Sequence, residues 1–118
     1  MASQIPPNLF APQVSPPTTL DATTGSWSSG ILSSNGCQAI AAAATLSQDG
    51  GISMQRYIDP AGTIPIGDAV TADLTGGTGG SVTVSDGTPF CTWDVTLTNS
   101  AGSASDISGV ALLAMLNP

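Results

Sequence analysis

Turn-forming clusters punctuate this chain at short intervals: "NG" at Asn35 and Gly36, "QDGG" at 48–51, "DPAGT" at 59–63, "TGGTGG" at 75–80, "DGTP" at 86–89 and "SAGSASD" at 100–106. An amphipathic helix needs about 10 to 12 uninterrupted residues, whereas a strand needs only 4 to 8. Short β-type runs between turn signals about every 8 to 12 residues are the pattern of a sandwich or small barrel.

Read run by run, "SWSSGILSS" (26–34) is a weak first strand and "NG" a two-residue hairpin turn. "CQAIAAAATLS" (37–47) contains four consecutive alanines, which favour helix by propensity. It has no charged residue to solvate a helix face, so it is read as a strand. "QDGG" then predicts an antiparallel hairpin between this strand and "ISMQRYID" (52–59). Further strands are expected at about 66–74, at "SVTVS" (81–85) and at "FCTWDVTLTN" (90–99), where Cys91, Trp93, Val95 and Leu97 share one face. "ISGVALLAML" (107–116) is apolar at nearly every position, as expected of a central strand covered on both faces or one buried in an oligomer interface. Six or seven strands without a helix predict one antiparallel β-sandwich over 26–118, immunoglobulin-like or jelly-roll in topology.

Residues 1–25 hold five of the nine prolines. Proline locks φ and removes a donor, so this segment is expected to be an extended arm near polyproline II, outside any sheet. Ile5, Leu9, Phe10, Val14 and Leu20 supply apolar anchors for docking on its own or a neighbouring subunit. The N-terminus lacks a basic stretch followed by an apolar one, and no window is long and apolar enough to span a membrane. The expectation is a chain made in the cytoplasm without a membrane partner.

Eight Asp, no Glu, no His and a single Lys or Arg leave a formal charge of −7. Phosphate-backbone binding depends on several cations, so nucleic acid is excluded as a partner. Without His, Lys or Glu there is no Ser-His-Asp triad, Cys-His pair or Schiff base. No pair among Asp59, Asp68, Asp73, Asp86, Asp94 and Asp106 is singled out for acid–base work. The expectation is therefore no enzyme, no cofactor and no metal site, with the aspartates accepting hydrogen bonds from turn backbone in preference to holding calcium. Two cysteines, Cys37 and Cys91, are read as buried free thiols, with one inter-strand bridge as the alternative.

The lone cation, Arg56, falls in "ISMQRYID", where alternation places it with Ile52, Met54 and Ile58 on one face. A guanidinium cannot shed its proton to escape burial, and its fork matches a carboxylate. Arg56 is thus expected to be a core staple or interface anchor beside an Asp or several backbone carbonyls, in the same chain or across a subunit boundary. Trp93 lies on the apolar face of its strand, leaving Trp27 and Tyr57 as the better candidates for an exposed aromatic platform.

The Pro-rich arm, "GISMQRYIDPAGTIPIGDAV" and "FCTWDVTLTNSAGSASDISGVALLAM" together resemble the small β-sandwich virion proteins of tailed bacteriophages, in particular capsid decoration or cement proteins. The resemblance implies a structural protein on the outer capsid surface, assembled as a homotrimer and binding the major capsid protein, with the arm reaching the shell or a sister subunit. An acidic surface suits the outside of a DNA-filled shell. The competing expectation is a carbohydrate-binding or adhesin-like module of a phage fibre or bacterial surface protein, with Trp27 and Tyr57 as its platform.

Overall fold

The computed structural model describes residues 9–10, 14–22, 25–34, 37 and 39–115. Its strands are β1 (Leu9–Phe10), β2 (Thr19–Leu20), β3 (Ser26–Ser28), β4 (Leu32–Ser33), β5 (Ala39–Leu46), β6 (Gly50–Tyr57), β7 (Val70–Leu74), β8 (Gly80–Val84), β9 (Thr92–Asn99) and β10 (Ser105–Met115). They form two antiparallel sheets packed face to face, without a helix among the described residues. The expected all-β sandwich is the fold, a slab 21 Å thick along its shortest axis. β5 to β10 form its body, and β1 to β4 are short pieces of two or three residues.

Both sheets follow one plan. In the first, β5 lies between β8 and β10, and β1 and β2 run along the far side of β10. In the second, β6 lies between β7 and β9, and β3 and β4 run along the far side of β9. The pairings are nested: β6–β7 lies inside β5–β8 in the sequence, and β6–β9 lies inside β5–β10.

This nesting corrects the expected hairpin between residues 37–47 and 52–59, because β5 and β6 belong to opposite sheets. The "QDGG" turn is a corner between layers. Ser47 N–H donates to the Asp106 carbonyl, Gln48 N–H to Ser105 Oγ, and the Asp49 carboxylate accepts from Gly76 N–H. A Cβ at Gly50 would collide with the Thr98 carbonyl and the Leu46 side chain, so only glycine lets the chain pass there. The expected hairpin at Asn35 and Gly36 fails for the same reason, since β4 and β5 lie in different sheets. Those two residues lie outside the described ones, and Cys37 N–H donates to the Ser34 carbonyl across them at 2.8 Å.

The core is made by unequal layers. Alternation turns Ile40, Ala42, Ala44 and Leu46 of β5 inward, beside Val82, Val84 and Leu112. The second sheet answers with Ile52, Met54, Trp93, Val95 and Leu97, all essentially inaccessible. Helix propensity at the alanine run is overridden because a strand there is hydrogen-bonded on both sides and buries every second side chain. On β9, Thr92 is also buried, an exception to the expected alternation, and donates through Oγ1 to the Asp59 carbonyl at 2.8 Å.

The expectation that the arm stays outside any sheet is corrected by β1 and β2, which pair antiparallel with the two ends of β10. An edge position tolerates proline, because one side of an edge strand needs no donor. Leu20 is 3% exposed and belongs to the core, and Val14 packs against it. Ile5 lies outside the described residues, and Leu9 and Phe10 are placed by their backbone pairing with Met115 and Ala114. Buried Asn99 fastens the stretch after β2: its Nδ2 donates to the carbonyls of Asp21 at 2.7 Å and Ser103 at 2.9 Å, and its Oδ1 accepts from Ala101 N–H. Leu20→Ala should therefore behave as a core deletion, lowering unfolding free energy by about 2 to 5 kcal/mol. A urea titration would show the lowered midpoint with an unchanged slope.

Candidate functional site

The side chains with chemical potential gather at one end of the second sheet, where β6 runs out into the 58–69 connection. Arg56 pairs with Trp93 in register and so points into the sandwich, as the alternation of β6 requires. Its guanidinium, 12% exposed, donates from both terminal nitrogens to Asp86, Nη1 to Oδ1 at 2.8 Å and Nη2 to Oδ2 at 3.0 Å. The Phe90 ring lies below it, with the centroid 5.7 Å from Cζ. The lone cation thus has an Asp partner in its own chain. Which Asp it takes was not legible, because Asp86 is 30 residues away in the β8–β9 loop and looks like any other turn residue.

Asp86 remains 53% exposed and also accepts from Thr88 N–H. The bond from Arg56, followed by that from Thr88, holds its carboxyl well below the usual carboxylate range. A folded-state pKa below the unfolded value of about 3.9 means that the pair supports folding above that pH. The support fades as pH falls through the lower folded value.

On the opposite face of the same sheet, Tyr57 donates its hydroxyl to Asp94 Oδ2 at 3.0 Å. Burial pushes the Asp94 carboxyl up, and the Tyr57 bond offsets part of that rise. Burial, then the bond to Asp94, pushes the Tyr57 phenol up as well, so its proton is committed and it is no general base. Gln55, on the same face, donates from Nε2 to the carbonyls of Arg56 and Ile66 and holds the outgoing chain against the strand.

Trp27 pairs with Leu97, faces inward and packs half-buried against the core, whereas Tyr57 faces outward with Asp94. The two rings lie on opposite sides of one sheet and share no platform, which corrects the pairing expected of them. Trp93 is wholly buried, as its strand position requires. Both cysteines are free: Cys37 is buried, which pushes its thiol up, and Cys91 is partly exposed.

The aspartates mostly serve turns. Asp59 accepts from Thr63 Oγ1, Thr63 N–H and Ile64 N–H, and Thr63 together with those backbone donors holds its carboxyl below the ordinary value. Asp49 and Asp86 likewise accept backbone donors, and Asp106 accepts from Thr19 Oγ1. Among the described residues no three acidic or thiol groups converge. The outer face of the first sheet has a shallow depression of about 480 Å³ over Ala43, Thr45, Gly79, Ser81 and Gly109, with no ionisable side chain in its lining.

Sequence reasoning passed over the 58–64 turn as a functional element. Ile58 was expected on the inner face with Ile52 and Met54, but it lies one residue past the end of β6 and is 61% exposed. Its signal was available: "IDPAGTI" sets an isoleucine on each side of a turn otherwise lacking large apolar residues. No protein-family model matches this chain, and no curated protein matches it.

Three outcomes are expected of the Asp86 and Asp94 carboxylates. Asp86→Ala strands a largely buried guanidinium and should cost more stability than Arg56→Met, which frees a half-exposed carboxylate to hydrate. Asp86→Asn and wild type should converge in stability as pH drops below about 4, read by urea unfolding across pH. Asp94→Asn should act in the opposite sense. It removes a carboxylate whose ionisation burial opposes and keeps an acceptor for Tyr57, so it should stabilise the fold at neutral pH. Differential scanning calorimetry should show that gain disappear at low pH, where the wild-type carboxyl is also neutral.

Proposed function

We propose that the chain is a structural virion protein: a capsid decoration or cement subunit that binds the outside of a tailed-phage head, contacts the major capsid protein and ties neighbouring shell subunits together. Assembly as a homotrimer and a place on the outer capsid surface belong to the same reading. The observation that carries it is where the charge lies. The only cation is consumed internally by Asp86, while Asp49, Asp68, Asp73, Asp86 and Asp106 are exposed, leaving an acidic exterior with no free Lys or Arg. Such a field repels nucleic acid and suits the outer side of a shell.

Two further features agree with a non-catalytic structural role. Arg56, Tyr57 and five of the aspartates (Asp49, Asp59, Asp86, Asp94 and Asp106) are engaged in hydrogen bonds within the fold. The arm, which could have been a free tether, is tied to its own sheet through Leu20 and the partners of Asn99. A glycan-binding role loses its support because Trp27 and Tyr57 face opposite sides of the sheet.

The test is co-sedimentation of the purified protein with undecorated heads of the virus that encodes it. Saturable binding and a higher temperature of DNA release are expected, with no retention on a glycan array. Heads that sediment without the protein would remove the reading.

A further inference from the structure

Among the described residues four large apolar side chains are exposed: Ile31, Ile58, Ile64 and Val70. Three of them belong to or border one turn, 58–64. Beyond β6 the chain continues as a narrow ribbon in which the Arg56 carbonyl accepts from Ile66 N–H, Tyr57 bridges to Pro65, and Ile58 N–H donates to the Ile64 carbonyl at 3.0 Å. Ile58 and Ile64 stand directly opposite each other, so both side chains project to one side. They are 61% and 55% exposed. Ile31, 44% exposed, lies against Gly62 at the tip, where a Cβ would strike its side chain; Gly62 also has φ +70°.

The tip is rigid by construction. Asp59 takes three donors from Thr63 and Ile64, its own carbonyl accepts from Gly62 N–H and Thr92 Oγ1, and Pro60 fixes the first turn position. An exposed apolar group on a preordered loop loses little entropy when it is buried by a partner.

We propose that this tip, Ile58 and Ile64 with Ile31 beside them, is a docking knob that enters an apolar pocket with a basic rim on a partner protein of different sequence. Charge chooses that occupant over a second copy. Three partly exposed side chains fall far short of the roughly 800 Å² per partner that a stable dimer buries, so the tip fits an anchor within a pocket and not a self-sufficient interface. The charge of the segment is acidic, from Asp59 within the turn and exposed Asp68 four residues past Ile64, while the Arg56–Asp86 pair is neutral, and a chain at −7 with its one cation already paired has no basic rim to offer itself. This inference rests on the decoration role and names the contact element for it.

The experiment measures binding to undecorated heads for wild type, Ile58→Ser, Ile64→Ser, the double variant and Ala43→Lys, the last on the uncharged outer face of the first sheet. Urea midpoints and near-ultraviolet circular dichroism check that each variant is folded. Each serine variant should weaken binding about tenfold and the pair by more, while Ala43→Lys leaves it unchanged. Raising NaCl from ~50 to ~500 mM should weaken wild-type binding. Wild-type binding with undiminished binding of folded Ile58→Ser and Ile64→Ser would overturn the knob and leave the decoration role standing. Loss on Ala43→Lys alone would move the contact to the flat face. Salt-independent binding would overturn the basic rim. Sedimentation velocity showing that the serine variants dissociate a wild-type oligomer would make a second copy the occupant. Absence of wild-type binding would overturn both the role and the knob.

Discussion

The apolar seam between the two sheets is the contact on which the rest of this structure depends. A chain with 8% charged residues has little electrostatic means of holding its parts in place, so burial of apolar surface has to do it. The first sheet brings Ala42, Ala44, Val82 and Val84 together with Ile40, Leu46 and Leu112, and the second brings Ile52, Met54, Trp93, Val95 and Leu97. Interdigitation of small and large side chains across facing layers is how interiors reach native packing density. β5 and β6, the central strands of the two sheets, lie on opposite sides of the seam, and each contributes a row of buried side chains to it.

Polar groups near the seam are satisfied locally and held to the backbone. Arg56 enters the sandwich only because Asp86 meets its fork and Phe90 supports its plane. Asn99 joins Asp21, after β2, to Ala101 and Ser103 of the β9–β10 loop in one fixed corner, and Ser105 holds the β5–β6 passage through Gln48 N–H. Short-range hydrogen bonding of this kind suits a surface of Ser, Thr, Gly and Asp, where long charged side chains are missing. The loops are thereby ordered without salt bridges, Arg56 excepted.

An ordered, nearly cation-free surface also limits what the molecule can do. It offers no anion-binding group, and its one phenol is already hydrogen-bonded to a carboxylate. What it does offer is shape: a slab with a firm apolar tip at one end. The docking role proposed above needs no more than that, since affinity depends on a few well-placed apolar anchors and on the charge around them.

The strands, the turns and the faces of most strands were legible from the sequence, because alternation and turn chemistry are properties of adjacent residues. The inward rows of β6 and β9 come from that period of two, and so does the need of Arg56 for a carboxylate, whereas the strand character of the alanine run is legible from its lack of any charged residue to solvate a helix face. Tertiary structure decided which strand pairs with which, which Asp answers Arg56, that the arm joins a sheet, and that Trp27 and Tyr57 part company. Those outcomes depend on contacts between residues far apart in the chain. The same Gly-rich turn can close a hairpin or carry the chain from one layer to the other, and only the burial available on each side selects between them. Ile58 shows the limit most directly: its alternation is inward, but the strand ends one residue before it, and the chain turns it out to solvent.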